Sequence, residues 1–254
     1  MHAPRELPAA AADILGRIRA RHPRVHCITN AVAQNFTANM LLAAGAVPAM
    51  TIAPDEIAEF VAQADALVIN LGTMDAERRA SIGIALGAAG DRVPWLLDPV
   101  FVDRSAARAA FAAGLVTKHP RAIRLNHAEF VRLAGAGPEP AGIARFARDH
   151  ATVVGLTGDR DIVADGARTA SISNGDPLMA KVTAMGCAAS ALVGACLAVE
   201  TDAWRATAAG LILIGVAGEV AADDAKGPGT FAAAILDALH RLDEATIIAR
   251  ARVA

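Results

Sequence analysis

The segment 181–187 could carry out chemistry because it places a thiol at the start of a helix. Its sequence, Lys-Val-Thr-Ala-Met-Gly-Cys, turns through Gly186 into an apolar run that begins at Cys187. The first N–H groups of a helix lack partners inside it and carry the positive end of its dipole, so such a turn can bind phosphate. The same field lowers a thiol's pKa, whereas bound phosphates raise it, which leaves the protonation state of Cys187 open.

Two carboxylates follow other apolar runs. Asp98 comes directly after Trp95-Leu96-Leu97, and Glu129 stands three residues after Asn126, where a strand gives way to a helix. Magnesium on a nucleotide needs few protein ligands, because it keeps water molecules and takes other oxygens from the phosphates. Both carboxylates are therefore candidate Mg²⁺ ligands. The alternatives are a turn or capping role for Asp98 and a helix N-terminal charge for Glu129.

Short β-branched runs alternate with Ala-rich segments, which predicts an α/β fold with a mainly parallel sheet and helices on both faces. The predicted strands are 24–28, 46–50, 66–70, 94–97, 122–125 and 151–156. The predicted helices are 10–21, 32–44, 54–63, 76–88, 105–115 and 141–150. Asp165-Gly166 predicts a hairpin between strands 161–164 and 168–172, and the chain from Gly186 onward is expected to be nearly all helix.

Polar residues follow most of the predicted strands. Ligands of an open parallel sheet bind beyond the carboxyl ends of its strands, so these residues should converge on one rim. They are Thr29, Asn30, Asn70, Gly72, Asp98, Asn126, Glu129, Thr157 and Gly158. A loop rim is also polar for solvation alone, and the pattern by itself leaves both interpretations open.

The composition is that of a globular protein with hidden apolar surface. The 254 residues are enough for one domain spanning 1–254, and 54% of them are hydrophobic. This fraction predicts contact between subunits. The 24 basic and 26 acidic side chains nearly balance and form no like-charge run, so nothing points to nucleic acid or an anionic membrane.

The three cysteines, Cys27, Cys187 and Cys196, are odd in number and lack metal-type spacing, which favours a reducing cytoplasm. The N-terminal residues have neither the charged start nor the apolar core of a signal peptide. The longest apolar stretches, 188–199 and 208–218, are shorter than the ~20 residues that span a bilayer. They are interpreted as buried helices.

Several motifs stand in a characteristic order along the chain. They are HCITN (26–30), NFTAN (35–39), ALVINLGT (66–73), LDPV (97–100), IRLN (123–126) with Glu129, TG (157–158), NGDPLM (174–179), KVT (181–183), GC (186–187) and KGPGTF (226–231). In these motifs the chain resembles the hydroxyethylthiazole kinases, the thiamin-salvage branch of the ribokinase-like superfamily. The resemblance runs from about Val25 to the C-terminal helix. A Cys at position 187, where most of the superfamily carries a catalytic Asp, is itself a mark of this family.

The resemblance implies a ribokinase-like kinase that transfers the terminal phosphate of ATP to the hydroxyl of 4-methyl-5-(2-hydroxyethyl)thiazole. It further implies Mg²⁺ and a homotrimer with sites between subunits. The implied residues are Cys187 as base or proton acceptor, Asn30, Met50 and Ala184 toward the thiazole, Arg124, Asn126, Thr157 and Gly186 toward the nucleotide, and Asp98 and Glu129 toward the metal. Met50 is compatible with a sulfur-containing ring because its thioether is polarizable.

Two loops depart from the family pattern. The usual Gly-Thr-Gly-Cys becomes Ala184-Met185-Gly186-Cys187, and the usual Gly-Ala-Gly after residue 100 becomes Phe-Val-Asp at 101–103. If position 184 has a positive φ, its methyl costs about 1–2 kcal/mol. These changes leave two alternatives: a kinase for another small hydroxyalkyl heterocycle, or a non-catalytic protein that binds thiazole or nucleotide.

Overall fold

The computed structural model describes residues 6–254 and contains an eight-stranded sheet in the order β2-β1-β3-β4-β5-β6-β7-β8. The strands are β1 (Arg24–Ile28), β2 (Val47–Ala49), β3 (Ala66–Asn70), β4 (Trp95–Asp98), β5 (Ala122–Asn126), β6 (Val153–Thr157), β7 (Asp161–Ala164) and β8 (Thr169–Ile172). Strands β1 to β6 pair in parallel, and β7 and β8 are antiparallel. The predicted mainly parallel sheet is confirmed, as is the hairpin at Asp165-Gly166. The N-terminal residues 1–5, part of the segment used to argue against a signal peptide, lie outside the described residues.

Helices cover both faces of the sheet. They are α1 (Leu7–Arg21), α2 (Gln34–Ala44), α3 (Ile57–Ala62), α4 (Ala76–Ala89), α5 (Ala106–Val116), α6 (His127–Ala134), α7 (Pro140–Asp149), α8 (Met185–Val199), α9 (Ala203–Ala222), α10 (Pro228–Arg241) and α11 (Glu244–Arg250). Neighbouring strand residues face opposite cores: Leu96 belongs to the core that includes α1, α8 and α9, whereas Leu97 belongs to the core that includes α4 and α5. This alternation follows from the two-residue period of a strand.

Some predicted boundaries are wrong. The sixth strand begins at Val153 rather than at Ala151, because Ala151 has a φ of 48° and turns the chain before the strand starts. The predicted helix 54–63 is shortened to Ile57–Ala62. A 3-10 helix at Pro177–Lys181 was not predicted; Pro177 opens it, and the Asp176 side chain accepts the N–H of Leu178 over 2.8 Å.

Helices α8 and α9 form the centre of one core. Their burial is as predicted, but α9 is 20 residues long and therefore longer than the apolar stretch at 208–218 from which it was inferred. By length and composition it could cross a membrane, yet 78% of its apolar window is buried inside the protein. Its apolar character is thus accounted for by packing against α1, α8 and α10.

The motif at 174–179 anchors the segment that leads into α8. Asn174 donates its Nδ2 hydrogens to Oε1 of Glu219 (2.9 Å) and to the carbonyl of Arg250 (2.8 Å). The sulfur of Met179 lies so close to Gly218 that a Cβ there would be 2.7 Å away. The segment before the turn at Ala184 is therefore tied to the C-terminal helices.

Candidate active site

The carboxyl ends of the parallel strands bring the rim residues together. Asn70 pairs with Asp98 at the ends of β3 and β4, and Asn126 pairs with Thr157 at the ends of β5 and β6. Arg124 lies on β5, the strand next to that of Asp98. The predicted convergence on one edge of the sheet is what the structure shows.

The turn into α8 begins at Ala184, whose φ of 74° is left-handed. The carbonyl of Ala184 accepts the N–H of Ala188 over 2.9 Å, so the helical bonds start at this residue. In this conformation a Cβ crowds the following carbonyl, which costs about 1–2 kcal/mol relative to glycine. The strain that the sequence analysis made conditional on a positive φ at position 184 is therefore present.

Gly186 allows the guanidinium of Arg124 to reach the start of α8. A Cβ at position 186 would lie 2.9 Å from Nη1 of Arg124. Nε of Arg124 is buried without a partner, and the side chain takes part in no ion pair among residues 6–254. The guanidinium and the positive end of the helix repel each other, and an anion bound between them would offset that repulsion. A guanidinium can bind phosphate through several donors.

The Cys187 thiol is neutral at pH 7. Burial raises its pKa to about 12, and the charge of Asp98 adds to this, whereas the Asn70 hydrogen bond, the charge of Arg124 and the helix N–H act in the opposite direction. The sequence left the net direction open; the helix start does lower the pKa, but the net shift is upward. Removal of the thiol from water outweighs the helix field.

Asp98 is a buried carboxylate held by two side-chain donors. Its Oδ2 accepts from Nδ2 of Asn70 (2.7 Å) and from Oγ of Ser190 (2.8 Å). Burial raises the pKa of Asp98 to about 6; the charge of Arg124 lowers it and that of Glu129 raises it. Asp98 and Glu129 thus repel each other, and a cation between them would relieve that repulsion.

Both carboxylate oxygens of Glu129 accept hydrogen bonds from backbone N–H groups. Oε2 accepts the N–H of Asn126 (2.9 Å), and Oδ1 of Asn126 accepts the N–H of Glu129 (3.0 Å), which forms a capping box at the start of α6. Oε1 accepts the N–H of Phe101 (3.0 Å). Its contacts match the alternative of a helix N-terminal charge, and its role toward Mg²⁺ stays a prediction.

Both departures from the family pattern occupy left-handed backbone. Phe101 has a φ of 60°, like Ala184 with its φ of 74°, and its side chain is 53% exposed beside the rim. Glycine adopts this region without strain, whereas a bulky residue does so rarely. A residue with a side chain at each of these two turns therefore adds strain to both loops of the site.

The nucleotide end of the rim lies at β5 and β6. Thr157 is half-buried, and its hydroxyl donates a long 3.4 Å hydrogen bond to the carbonyl of Leu125. The next residue, Gly158, packs so closely on His127 that a Cβ would be 2.8 Å from Cε1 of the imidazole. A side chain at position 158 would therefore displace the ring beside Thr157.

The end of the rim that is predicted to bind the thiazole lies at β1 and β2. Asn30 follows β1, and its Oδ1 accepts from Oγ1 of Thr73 (2.9 Å) and from the N–H of Val32 (3.2 Å). Met50 directly follows β2, the neighbouring strand, where it is half-buried. Two of the three residues predicted to face the thiazole, Asn30 and Met50, thus lie at adjacent strand ends, several strands away from Thr157.

Sequence reasoning missed three polar residues of the rim as site members. Asn70 stood among the rim residues but received no role. Ser190 lies three residues after Cys187 on the same helix, a spacing that puts both on one face and could have identified it. Asp161 gave no local signal, because its burial depends on elements distant in sequence.

The carboxylates of the rim fit a metal that is shared with a nucleotide. Residues 6–254 contain no group of three or more His, Cys, Asp or Glu side chains placed to hold a metal by themselves. The mutual repulsion of Asp98 and Glu129 and the location of both on the rim do fit a cation that takes its other ligands from phosphates and water.

Two surface cavities lie elsewhere. The larger, of about 760 Å³, is at the amino ends of β3 and β4 and is lined by Asp65, Arg92, Trp95 and Lys118 among others. The smaller lies beside Arg168. Neither includes a predicted site residue.

Comparison with known proteins places the chain among kinases of one kind. The profile of the "HK: Hydroxyethylthiazole kinase family" matches residues 15–245. The probable hydroxyethylthiazole kinase of Agrobacterium fabrum is 45% identical over 246 residues, with 96% of this chain and 95% of that protein covered. The hydroxyethylthiazole kinase of Klebsiella pneumoniae strain 342 is 44% identical over 248 residues, with 92% and 96% covered.

Solved structures agree. The hydroxyethylthiazole kinase protein of Pyrococcus horikoshii OT3 superimposes with a TM-score of 0.92 at 38% identity, covering 96% of this chain and 98% of that one. A ribokinase-like superfamily protein of Enterococcus faecalis V583 gives a TM-score of 0.71 at 15% identity, covering 92% and 95%, which establishes the shared fold alone.

Proposed function

The chain belongs to the hydroxyethylthiazole kinase family, and on this premise we propose that it transfers the terminal phosphate of ATP to the hydroxyl of 4-methyl-5-(2-hydroxyethyl)thiazole in thiamin salvage. The observation that carries the proposal is the meeting of Arg124, Gly186 and Cys187 at the start of α8. There a guanidinium with free donors and a helix N-terminus face the same space.

The phosphate would bind at that helix start. Phosphoryl transfer asks a protein mainly to position the phosphate and to neutralise its charge. The N–H groups of residues 184–187 and the guanidinium of Arg124 supply both, and Asn126 and Thr157 would contact the rest of the nucleotide. The acceptor hydroxyl would lie beside Cys187, with Ala184 along its hydroxyethyl arm and Asn30 and Met50 toward the ring.

Cys187 would be the proton acceptor, although it is almost entirely in the thiol form at pH 7. With a pKa of about 12, it offers only a small thiolate fraction at pH 7 to take the proton of the alcohol. A loose transition state makes little demand on a base, so this fraction can suffice. We expect Cys187→Ala to lower kcat about tenfold, less than the loss typical of a full general base.

Asp98 and Glu129 would hold Mg²⁺ together with the nucleotide phosphates. Bound there, the ion would neutralise charge on the transferred phosphoryl group. Asn70 and Ser190 orient Asp98 through its Oδ2. The capping box fixes Glu129 at the strand end.

The chain would act as one domain and assemble as a homotrimer in the cytoplasm. The assembly is supported by exposed apolar side chains near the edge strand β2: Val47 on the strand itself, Leu42 on the helix packed against it, and Val32 before that helix. The compartment is supported by three free cysteines. Light scattering that gives the mass of a single chain would refute the trimer.

The activity test uses purified protein, Mg²⁺ and ATP with a panel of alcohols. We expect phosphorylated hydroxyethylthiazole as the best product. The exposed Phe101 in a loop where the family carries glycine is the observation that favours the second candidate, a kinase for a related hydroxyalkyl heterocycle. A higher kcat/KM for such an alcohol would establish it, and nucleotide binding without turnover of any alcohol would overturn both.

A further inference from the structure

Asp161 is a largely buried carboxylate at the nucleotide end of the rim. It is the first residue of β7, and its Oδ1 accepts the N–H of Gly158 over 3.0 Å. This bond closes the turn between β6 and β7. Thr157, the proposed nucleotide contact, directly precedes the turn, so its backbone position depends on Asp161.

Two side chains on neighbouring elements act electrostatically on Asp161, Arg124 from β5 and His127 from α6. Burial is the largest influence and raises the pKa of Asp161 to about 6, while the Gly158 N–H and these two side chains lower it. The other charged residues of its turn, Asp159 and Arg160, are exposed. Asp161 is therefore mostly ionised at pH 7, with its negative charge directed inward.

The imidazole of His127 lies against the same turn. The register of Asn126 with Thr157 puts His127 beside Gly158, and the near contact of the ring with Gly158 leaves no room for a side chain there. The imidazole and the Asp161 carboxylate therefore both adjoin the turn at Gly158.

Arg124 acts electrostatically on two carboxylates and forms an ion pair with neither. Its charge acts on both Asp98 and Asp161, yet the ion pairs formed within residues 6–254 do not include it. A nearby carboxylate that makes no contact can direct a guanidinium while its donors stay free for a ligand. Those donors lie beside Gly186.

We propose that Asp161 is a positioning residue of the nucleotide subsite: it fixes the Thr157–Gly158 turn through the Gly158 N–H and directs Arg124 toward the nucleotide phosphates. The inference rests on the proposed function, since it takes this rim to be the nucleotide site.

The test is calorimetric binding of Mg-ADP to the full chain, with no turnover involved. Asp161→Asn keeps an acceptor for the Gly158 N–H and removes the charge, Asp161→Ala removes both, and Asp159→Asn in the same turn is the matched control. We expect Kd for ADP to rise about tenfold in Asp161→Ala, as for the loss of a charge-assisted hydrogen bond. Asp161→Asn should show a smaller rise and Asp159→Asn none.

Steady-state kinetics add a second readout. KM for ATP should rise more than kcat falls, KM for the thiazole should stay constant, and Asp161→Glu should recover part of the loss. Wild-type affinity for ADP in both Asp161→Asn and Asp161→Ala, or an equal loss in Asp159→Asn, would overturn the inference. If Asp161→Ala does not fold, Asp161→Asn decides.

The two proposals can fail separately. Wild-type protein that binds ADP but does not phosphorylate the thiazole would refute the proposed function. The ADP affinities of the Asp161 variants would then still test the role of Asp161. Wild-type protein that binds no ADP would refute both.

Discussion

The guanidinium of Arg124 lies so close to Gly186 that a Cβ at position 186 would stand 2.9 Å from Nη1. This proximity joins a strand end and a helix start that are 62 positions apart in the sequence, 186 less 124. It explains the glycine in the first turn of α8: the space that a side chain would take at position 186 is occupied by the guanidinium.

Gly186→Ala should weaken nucleotide binding with little effect on folding. The methyl group would push the flexible end of Arg124 away from the helix start, so we expect KM for ATP to rise about tenfold, the loss of one charge-assisted contact. Gly83→Ala is the matched control, because Gly83 is an exposed helical residue with open space around it. The control should keep wild-type kinetics and gain about 0.5–1 kcal/mol of stability. Unchanged KM in Gly186→Ala would contradict the assignment of Arg124 to phosphate.

Ala184→Gly should stabilise the protein. Glycine relieves the left-handed strain at φ 74°, and the gain is reduced by the greater entropy of the unfolded chain, which leaves about 0.5–1 kcal/mol. The control is Ala107→Gly at an exposed position of α5, where the same change should destabilise by a similar amount. Chemical denaturation measures both, and a loss of stability in Ala184→Gly would show that the strain account is wrong.

Cys187 should be slow to alkylate in the native protein. Its pKa of about 12 lies well above the ordinary value of 9.0, so its thiolate fraction at pH 8 is smaller by about three orders of magnitude. Iodoacetamide labelling followed by mass spectrometry should give a correspondingly slower rate than in urea-unfolded protein, increasing with pH up to pH 10. The buried Cys27 and Cys196 serve as internal references that should remain unlabelled. A native rate at Cys187 equal to the unfolded rate would refute the raised pKa.

Asp161→Asn should be more stable than wild type above neutrality. Because folding raises the pKa of Asp161 from 3.8 to about 6, the native state binds this proton more tightly than the unfolded chain does. The resulting stability is present below about pH 4 and is lost as pH rises to about 6. The asparagine variant lacks this loss, and its advantage at pH 8 should reach at most about 3 kcal/mol and vanish near pH 4.

Urea unfolding of Asp161→Asn and wild type at pH 4, 6 and 8 would measure this difference, with Asp159→Asn expected to follow wild type at each pH. A variant less stable than wild type at pH 8 would show that the Gly158 N–H and the charge of Arg124 outweigh the burial of Asp161.

Much of the fold could be predicted because its signals are local. The strands β1 and β3 begin and end where the β-branched runs predicted, and Asp165-Gly166 makes the predicted hairpin. Boundaries moved where backbone geometry overrode composition, as at Ala151 with its positive φ. The rim followed from the predicted parallel direction of the strands, since parallel strands end at one edge.

The chemistry of the individual site residues was decided by the tertiary structure. The sequence by itself determined the βα pattern, the identity of the residues on the rim and the presence of Ala184, whose strain could be stated only on the condition of a positive φ. It could not determine the net direction of the Cys187 pKa shift, the two hydrogen bonds that Glu129 accepts from backbone N–H groups, or the burial of Asp161. Each of these depends on burial and on charges from elements far apart in the chain, and the energy of a charge is set by the surroundings that folding brings to it.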